Sequence, residues 1–100
     1  MATERDILRE IRQRLALMRD ELDGYTVYLF GSRAMGTANK RSDFDIGIDG
    51  DRPLSARVFY RISDMFDEIR TLHRIDWVDL HETSAAFRSE ALKNALVLYG

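Results

Sequence analysis

Two aspartates one residue apart, Asp43 and Asp45, follow a loop with two glycines and three cations in the run GSRAMGTANKRSDFDIGI, Gly31 to Ile48. From Asp43 to Asp49 the chain alternates. Phe44, Ile46 and Ile48 fall on one side, and Asp43, Asp45, Gly47 and Asp49 on the other. Such alternation predicts a strand with one face on a core and the other in a wet place. Side chains two apart share a face, so the carboxylates stand side by side with Cα atoms roughly 6–7 Å apart. Like charges this close repel, and burying either one unpaired is costly. A divalent cation removes both costs. Mg²⁺ suits the pair because it prefers carboxylate oxygens and keeps positions for water or a substrate phosphate. Gly47, between Asp45 and Asp49 on the same side, is expected to leave that face uncrowded.

Gly31-Ser32 stands where a strand ends and a short helical turn could begin. A glycine lets backbone approach a phosphate closely, and a serine adds a hydroxyl and a free amide. Arg33, Lys40 and Arg41 offer positive charge to a polyphosphate, although each taken singly reads equally well as solvated surface. Gly31 and Gly36, five residues apart, fit neither the dinucleotide fingerprint nor the Walker pattern. Phosphate binding here would follow another design.

The elements that must position these groups are legible as periodicities. Ile7, Ile11, Leu15, Met18 and Leu22 step by three or four, predicting a helix from Thr3 to Leu22 with a Thr3/Asp6 capping box. Tyr25–Phe30, β-branched and aromatic, predicts a buried strand, and Asp43–Asp49 a second, broken by Gly50–Pro53. Val58, Ile62, Met65, Ile69 and Leu72 mark a helix over about 54–71. Arg74–Leu80 predicts a third strand, and Phe87, Ala91, Ala95 and Leu98 a last helix over about 84–99. The order is α-β-(loop)-β-α-β-α, a small α/β sheet of three visible strands whose edges need covering.

Composition narrows the possibilities. One hundred residues, 45% apolar and 32% charged, suit a single domain, 1–100, with one core. A net charge of −2 gives no global field for nucleic acid or an anionic membrane, so phosphate binding must be local. The absence of cysteine excludes disulfides and thiolate metal sites and fits a reducing cytoplasm. The N-terminus is too charged for a signal peptide, and no apolar run approaches the ~20 residues that span a bilayer. The expectation is a cytoplasmic domain without direct nucleic-acid or membrane contact.

Gly31-Ser32, ten residues, then Asp43-Phe44-Asp45 reads G-S-x(10)-D-x-D. This resembles the signature of the DNA polymerase β-like nucleotidyltransferase superfamily. In its short form, LFGSRAMGTANKRSDFDIGI, it is similar to the minimal nucleotidyltransferases of prokaryotes, including antitoxins paired with HEPN-domain ribonuclease toxins. The resemblance covers nearly the whole chain and implies a small mixed sheet packed with helices. It also implies roles: Gly31 and Ser32 on the β- and γ-phosphates of ATP, Asp43 and Asp45 on two Mg²⁺ ions, and a third acid on a neighbouring strand. A nucleotidyl group would be transferred as pyrophosphate leaves.

Asp76 and Asp79 are the candidates for the third acid. Three apart, they lie on opposite faces of a regular strand, and neither face is plainly polar, so alternation does not choose. The family pattern places the acid early in this strand, which favours Asp76. His73 and His81, eight apart, lack a metal-ligand pattern, and Trp77 with Phe59, Met65 and Phe66 reads as core or partner surface.

Larger members of the superfamily carry extra domains for the acceptor, and this sequence holds only the core. The acceptor is therefore expected on a partner. The resemblance implies a HEPN toxin, silenced when AMP is transferred from ATP to one of its tyrosines. Two other readings stay open: a binding antitoxin acting by contact alone, and the catalytic half of a two-chain enzyme that nucleotidylates a small molecule.

Overall fold

A computed structural model describes residues 3–39 and 41–100; Met1, Ala2 and the loop cation Lys40 lie outside the described residues. The first helix, α1 (Glu4–Ala16), begins with the expected capping box: the Thr3 hydroxyl accepts from the Asp6 amide at 3.2 Å, and the Asp6 carboxylate accepts from the Thr3 amide at 3.1 Å. The helix stops six residues short of the expected Leu22. Beyond it the Met18 amide donates to the Leu15 carbonyl at 2.9 Å, a tighter i−3 bond, and the chain proceeds in turns. Met18 and Leu22 are nevertheless buried, so the stripe reported burial correctly and backbone only in part.

The sheet has four strands, β1 (Tyr25–Phe30), β2 (Phe44–Gly50), β3 (Ile75–Asp79) and β4 (Leu96–Tyr99), in the order β3-β2-β1-β4. β2 pairs antiparallel with β1 and parallel with β3, and β4 lies antiparallel on the far side of β1. The parallel pair needs a crossover, supplied by α3 (Ala56–Asp67), whose first turn is capped by the Ser55 hydroxyl. The sheet is mixed, as expected.

The expected helix over 84–99 is corrected. It divides into α4 (Ala85–Leu92) and β4. Spacing of Ala91, Ala95 and Leu98 fits a helix, but Leu96-Val97-Leu98-Tyr99 also has the composition of a strand, and β1 offers it an open edge. Leu98 is buried from the strand.

The core lies between one sheet face and the helices α1 and α3. Val27, Leu29, Phe44, Ile46 and Ile48 meet Ile7, Ile11, Leu15, Val58, Ile62 and Phe66 there. Trp77 belongs to this side: its indole N–H donates to the Phe59 carbonyl at 3.0 Å, and its ring stacks on Phe59 with centroids 5.4 Å apart. The opposite face carries the acids. It is less open than the alternation predicted. A side chain on Gly47 would meet Leu80 at 3.0 Å and Phe30 at 3.2 Å, so the glycine accommodates neighbours instead of leaving space. Asp49 is buried beneath α4 and binds Arg88 through two parallel contacts, at 3.1 and 2.5 Å. Along β2 the Asp45 end of the face remains accessible.

Candidate active site

Asp45 sits at a crossing point of the sheet. Along one line across the strands, Phe30 of β1 pairs with Asp45 of β2, and Asp45 with Asp76 of β3. Gly31 follows Phe30 at once, so the end of β1, the aspartate and the second acid share one cross-section. Asp43 lies just ahead of β2 and is exposed. Burial, the charge of Asp76 and that of Asp43, in that order, push the Asp45 carboxyl above its usual range.

Asp76 and Asp79 are now distinguished by surroundings. Asp76 is partly exposed beside Asp45, with Oδ1 2.7 Å from Nε of the exposed Arg74. Asp79 is buried and fully occupied by backbone: its carboxylate accepts from the Leu54 amide at 2.8 Å and the His81 amide at 3.0 Å. It pins the start of α3 and the 3₁₀ turn Leu80–Glu82. Asp79→Ala is expected to cost about 1–3 kcal/mol in urea unfolding, because the buried Leu54 amide and the half-buried His81 amide lose their acceptor. Asp76→Asn is expected to leave unfolding nearly unchanged and to stop turnover. Equal instability in the two variants would contradict this division.

The glycine at the head of the loop is dictated by the aspartate. Gly31 has φ 73° and ψ −155°, a region essentially closed to other residues. A Cβ there would overlap the Asp45 carboxylate and lie 3.2 Å from its Cγ. Ser32 opens the short helix α2 (Ser32–Met35), which Gly36 ends in a left-handed conformation, φ 76°. The Ser32 carbonyl accepts from the Thr37 amide at 3.0 Å.

The expected phosphate cations fare differently. The Arg33 side chain is only 6% exposed and is already engaged within the protein. Nε and Nη2 donate to the Ser42 carbonyl at 3.1 and 2.6 Å, Nη1 meets Glu4 at 3.4 Å, and the group lies 4.0 Å over the Phe44 ring. Arg33 ties α2 to the residues before β2 and so fixes where Asp43 leaves the loop. Lysine cannot reproduce a planar fork that also stacks. Arg33→Lys should therefore lower stability by about 1–2 kcal/mol, measured by thermal unfolding. Arg41 is exposed in the same loop, its amide held by the Asn39 side chain at 2.8 Å.

Sequence reasoning missed two participants. His73 packs edge-on to Phe44, 5.6 Å between centroids, with Nδ1 3.4 Å from Arg33 Nη2. Arg88, the partner of Asp49, seats α4 against the acidic face. Asp49 could have been suspected from its alternation with Asp45; nothing in the sequence marked Arg88.

Among the described residues no three acids or histidines are gathered at metal-coordinating spacing. The donors nevertheless suit a hard divalent ion: they are oxygen only, and Asp45 is held unfavourably as an anion by two neighbours of its own sign.

A glycine-led loop against paired strand carboxylates, on a four-stranded mixed sheet, defines a nucleotidyltransferase core. The chain belongs to the family "Polymerase beta, Nucleotidyltransferase", whose model matches residues 16–100, and it is a nucleotidyltransferase. It is 35% identical over 82 residues, 82% of this chain and 72% of the relative, to "Probable protein adenylyltransferase MntA" of Haemophilus influenzae. Its fold is similar to that in "Crystal structure of the toxin-antitoxin with AMP-PNP", with TM-score 0.62, 24% identity, and 90% of this chain and 73% of that one covered. A second structure is "tri-AMPylated Shewanella oneidensis HEPN toxin in complex with MNT antitoxin", with TM-score 0.61, 20% identity, and 94% and 72% covered. At these identities the two structures establish the fold.

Proposed function

We propose that this chain is a Mg²⁺-dependent protein adenylyltransferase acting in the cytoplasm as an antitoxin, which transfers AMP from ATP to a tyrosine of a HEPN-domain toxin. The observation that carries the reading is the position of Asp45, pressed against Gly31 on one side and paired with Asp76 on the other. A loop that admits no side chain at its first residue brings backbone to within reach of whatever the carboxylates hold.

Asp43, Asp45 and Asp76 would hold the Mg²⁺, which when bound supplies charge neutralisation at the α-phosphate and at the leaving oxygen. Gly31 and Ser32 would carry the β- and γ-phosphates through backbone amides and the serine hydroxyl. The tyrosine oxygen attacks the α-phosphorus, the bond to the β-phosphate oxygen breaks, and pyrophosphate leaves. Asp76 accepts the hydroxyl proton. Arg33 takes no part in the chemistry and keeps the loop in register with Asp43.

Intact-mass spectrometry of the HEPN protein co-expressed with this chain, after incubation with ATP and Mg²⁺, tests the proposal. Wild type should add nucleotidyl mass to the HEPN protein, and Asp43→Asn/Asp45→Asn none. An unmodified but bound and inhibited HEPN protein with both versions would make contact the mechanism and defeat the transfer reading.

A further inference from the structure

We infer that Arg74 is the resident counterion of Asp76 and that, once the acids hold a divalent ion, its guanidinium passes to the phosphate being transferred. The inference rests on the nucleotidyl-transfer reading above and deepens it, by naming a residue for the end of the site away from Gly31. Among the described residues three arginines stand around β2 and its acids, and they are held in different ways. Arg33 is enclosed, its side chain 6% exposed. Arg88 is fixed on Asp49 through two nitrogens. Arg74 is 77% exposed and meets Asp76 through one atom pair, Nε to Oδ1 at 2.7 Å. An exposed pair of this kind is weak in water, so its partner is easily exchanged.

Placement decides what the guanidinium can be exchanged to. Just ahead of the β2–β3 ladder the Phe44 amide donates to the Arg74 carbonyl at 2.9 Å. Arg74 therefore enters the sheet level with the stretch where Asp43 leaves the loop, and it shares a face with Asp76 two residues on. Phe30 pairs with Asp45 and Asp45 with Asp76, so Gly31 and Arg74 flank Asp45 from opposite sides. A triphosphate whose β- and γ-phosphates lie at Gly31 and Ser32 carries its α-phosphate over the carboxylates towards Arg74.

Charge supplies the reason for the exchange. Asp43, Asp45 and Asp76 bring three carboxylates to one corner of the sheet, and Arg74 relieves the last of them. A divalent ion draws a carboxylate more strongly than an exposed guanidinium does. Arg74 then stands as a cation beside a cation and needs a new anion. Its planar fork of donors matches phosphate oxygens, on which charge must be held while the bond to the leaving oxygen breaks. The pair thus makes phosphate capture by Arg74 follow occupation of the acids.

The test titrates the full chain by calorimetry with Mn²⁺ alone, and then with tripolyphosphate and with pyrophosphate in saturating MgCl₂. Tripolyphosphate stands for the triphosphate of ATP, and pyrophosphate for its β- and γ-phosphates only. Arg74→Ala, at an exposed position, should bind Mn²⁺ about three- to tenfold more tightly, because a competing cation is gone. It should bind tripolyphosphate at least about fivefold more weakly and pyrophosphate within about twofold of wild type. Arg74→Lys should return the Mn²⁺ affinity to that of wild type and restore only part of the tripolyphosphate affinity. Opposite signs for metal and phosphate are what a merely structural ion pair would not give. Unchanged Mn²⁺ affinity in Arg74→Ala, or equal losses of tripolyphosphate and pyrophosphate, overturns the inference; if Asp45→Asn still abolishes Mn²⁺ binding, the proposed function stands without it. Wild type that binds neither Mn²⁺ nor tripolyphosphate overturns both.

Discussion

Asp45→Asn is expected to abolish adenylyl transfer and, at the same time, to make the metal-free protein more stable. On the proposed roles the transfer rate should fall on the order of 10³-fold or more, since Asp45 would be one of the oxygen donors that hold the ion at the reacting phosphate. The stability gain follows from electrostatics. Burial, Asp76 and Asp43 raise the Asp45 carboxyl above its ordinary value of 3.8. A carboxyl raised in the folded state binds its proton more tightly there than in the unfolded chain. Its contribution is therefore most favourable at pH below 3.8 and is lost as pH rises through the folded value. At neutral pH the ionised group opposes folding, and asparagine removes that opposition. Thermal unfolding should give the variant the higher Tm at pH 7, with the difference shrinking towards pH 4. MgCl₂ should raise the Tm of wild type and leave the variant unmoved. An equal response of the two proteins to MgCl₂ would remove Asp45 from the metal site.

Gly31→Ala should be the most damaging change of a single hydrogen to a methyl anywhere in the loop. Backbone strain at φ 73°, ψ −155° costs about 1–3 kcal/mol for any other residue. The added methyl must also displace the Asp45 carboxylate. Together about 2–4 kcal/mol of stability is expected to be lost. For a chain of this size that lowers Tm by roughly 10 °C or more. Transfer should fall by about 100-fold or more, because the carboxylate and the loop amides are both moved. Gly36 is the internal control. Its φ of 76° is also left-handed, but nothing lies within 4 Å of a Cβ there. Gly36→Ala should cost only about 1–2 kcal/mol. Chemical denaturation of both variants decides: equal losses would mean that the Asp45 contact imposes nothing on residue 31.

The pair of predictions reflects one feature of the site. Acids of like sign are brought together and a glycine is spent on proximity to them, both against folding stability. Three acids elsewhere are satisfied. Asp79 caps backbone, Asp49 is bound by Arg88, and Asp6 completes a capping box that holds its carboxyl below the usual range through the Thr3 amide. Asp45, held above the ordinary carboxyl range, is the acid on which the proposed chemistry is centred.

Local patterns determined most of the scaffold. The period of two in β2 set which side chains face the core and placed Asp43 and Asp45 on the other side, since alternation needs no partner to be defined. The stripes of α1 and α3 and the capping box of α1 depend on residues three and four apart and were legible for the same reason, except that Leu72, assigned to the α3 stripe, lies beyond the helix and is 97% exposed. The Gly-Ser and paired-aspartate spacing singled out the loop and the acids of the proposed site by type and order alone.

Tertiary structure decided whatever depends on a neighbour distant in sequence. β4 exists because β1 has an open edge, so the same four residues that continue a helical spacing become a strand. Asp76 stands beside Asp45 only through the parallel register of β2 and β3, while Asp79 is drawn off by amides of Leu54 and His81. Arg33 looked like a free cation until Ser42, Glu4 and Phe44 closed around it. A chain writes its local periodicities into consecutive residues, but which charges meet is fixed by pairing and packing across the fold, and these carry no signature within any one segment.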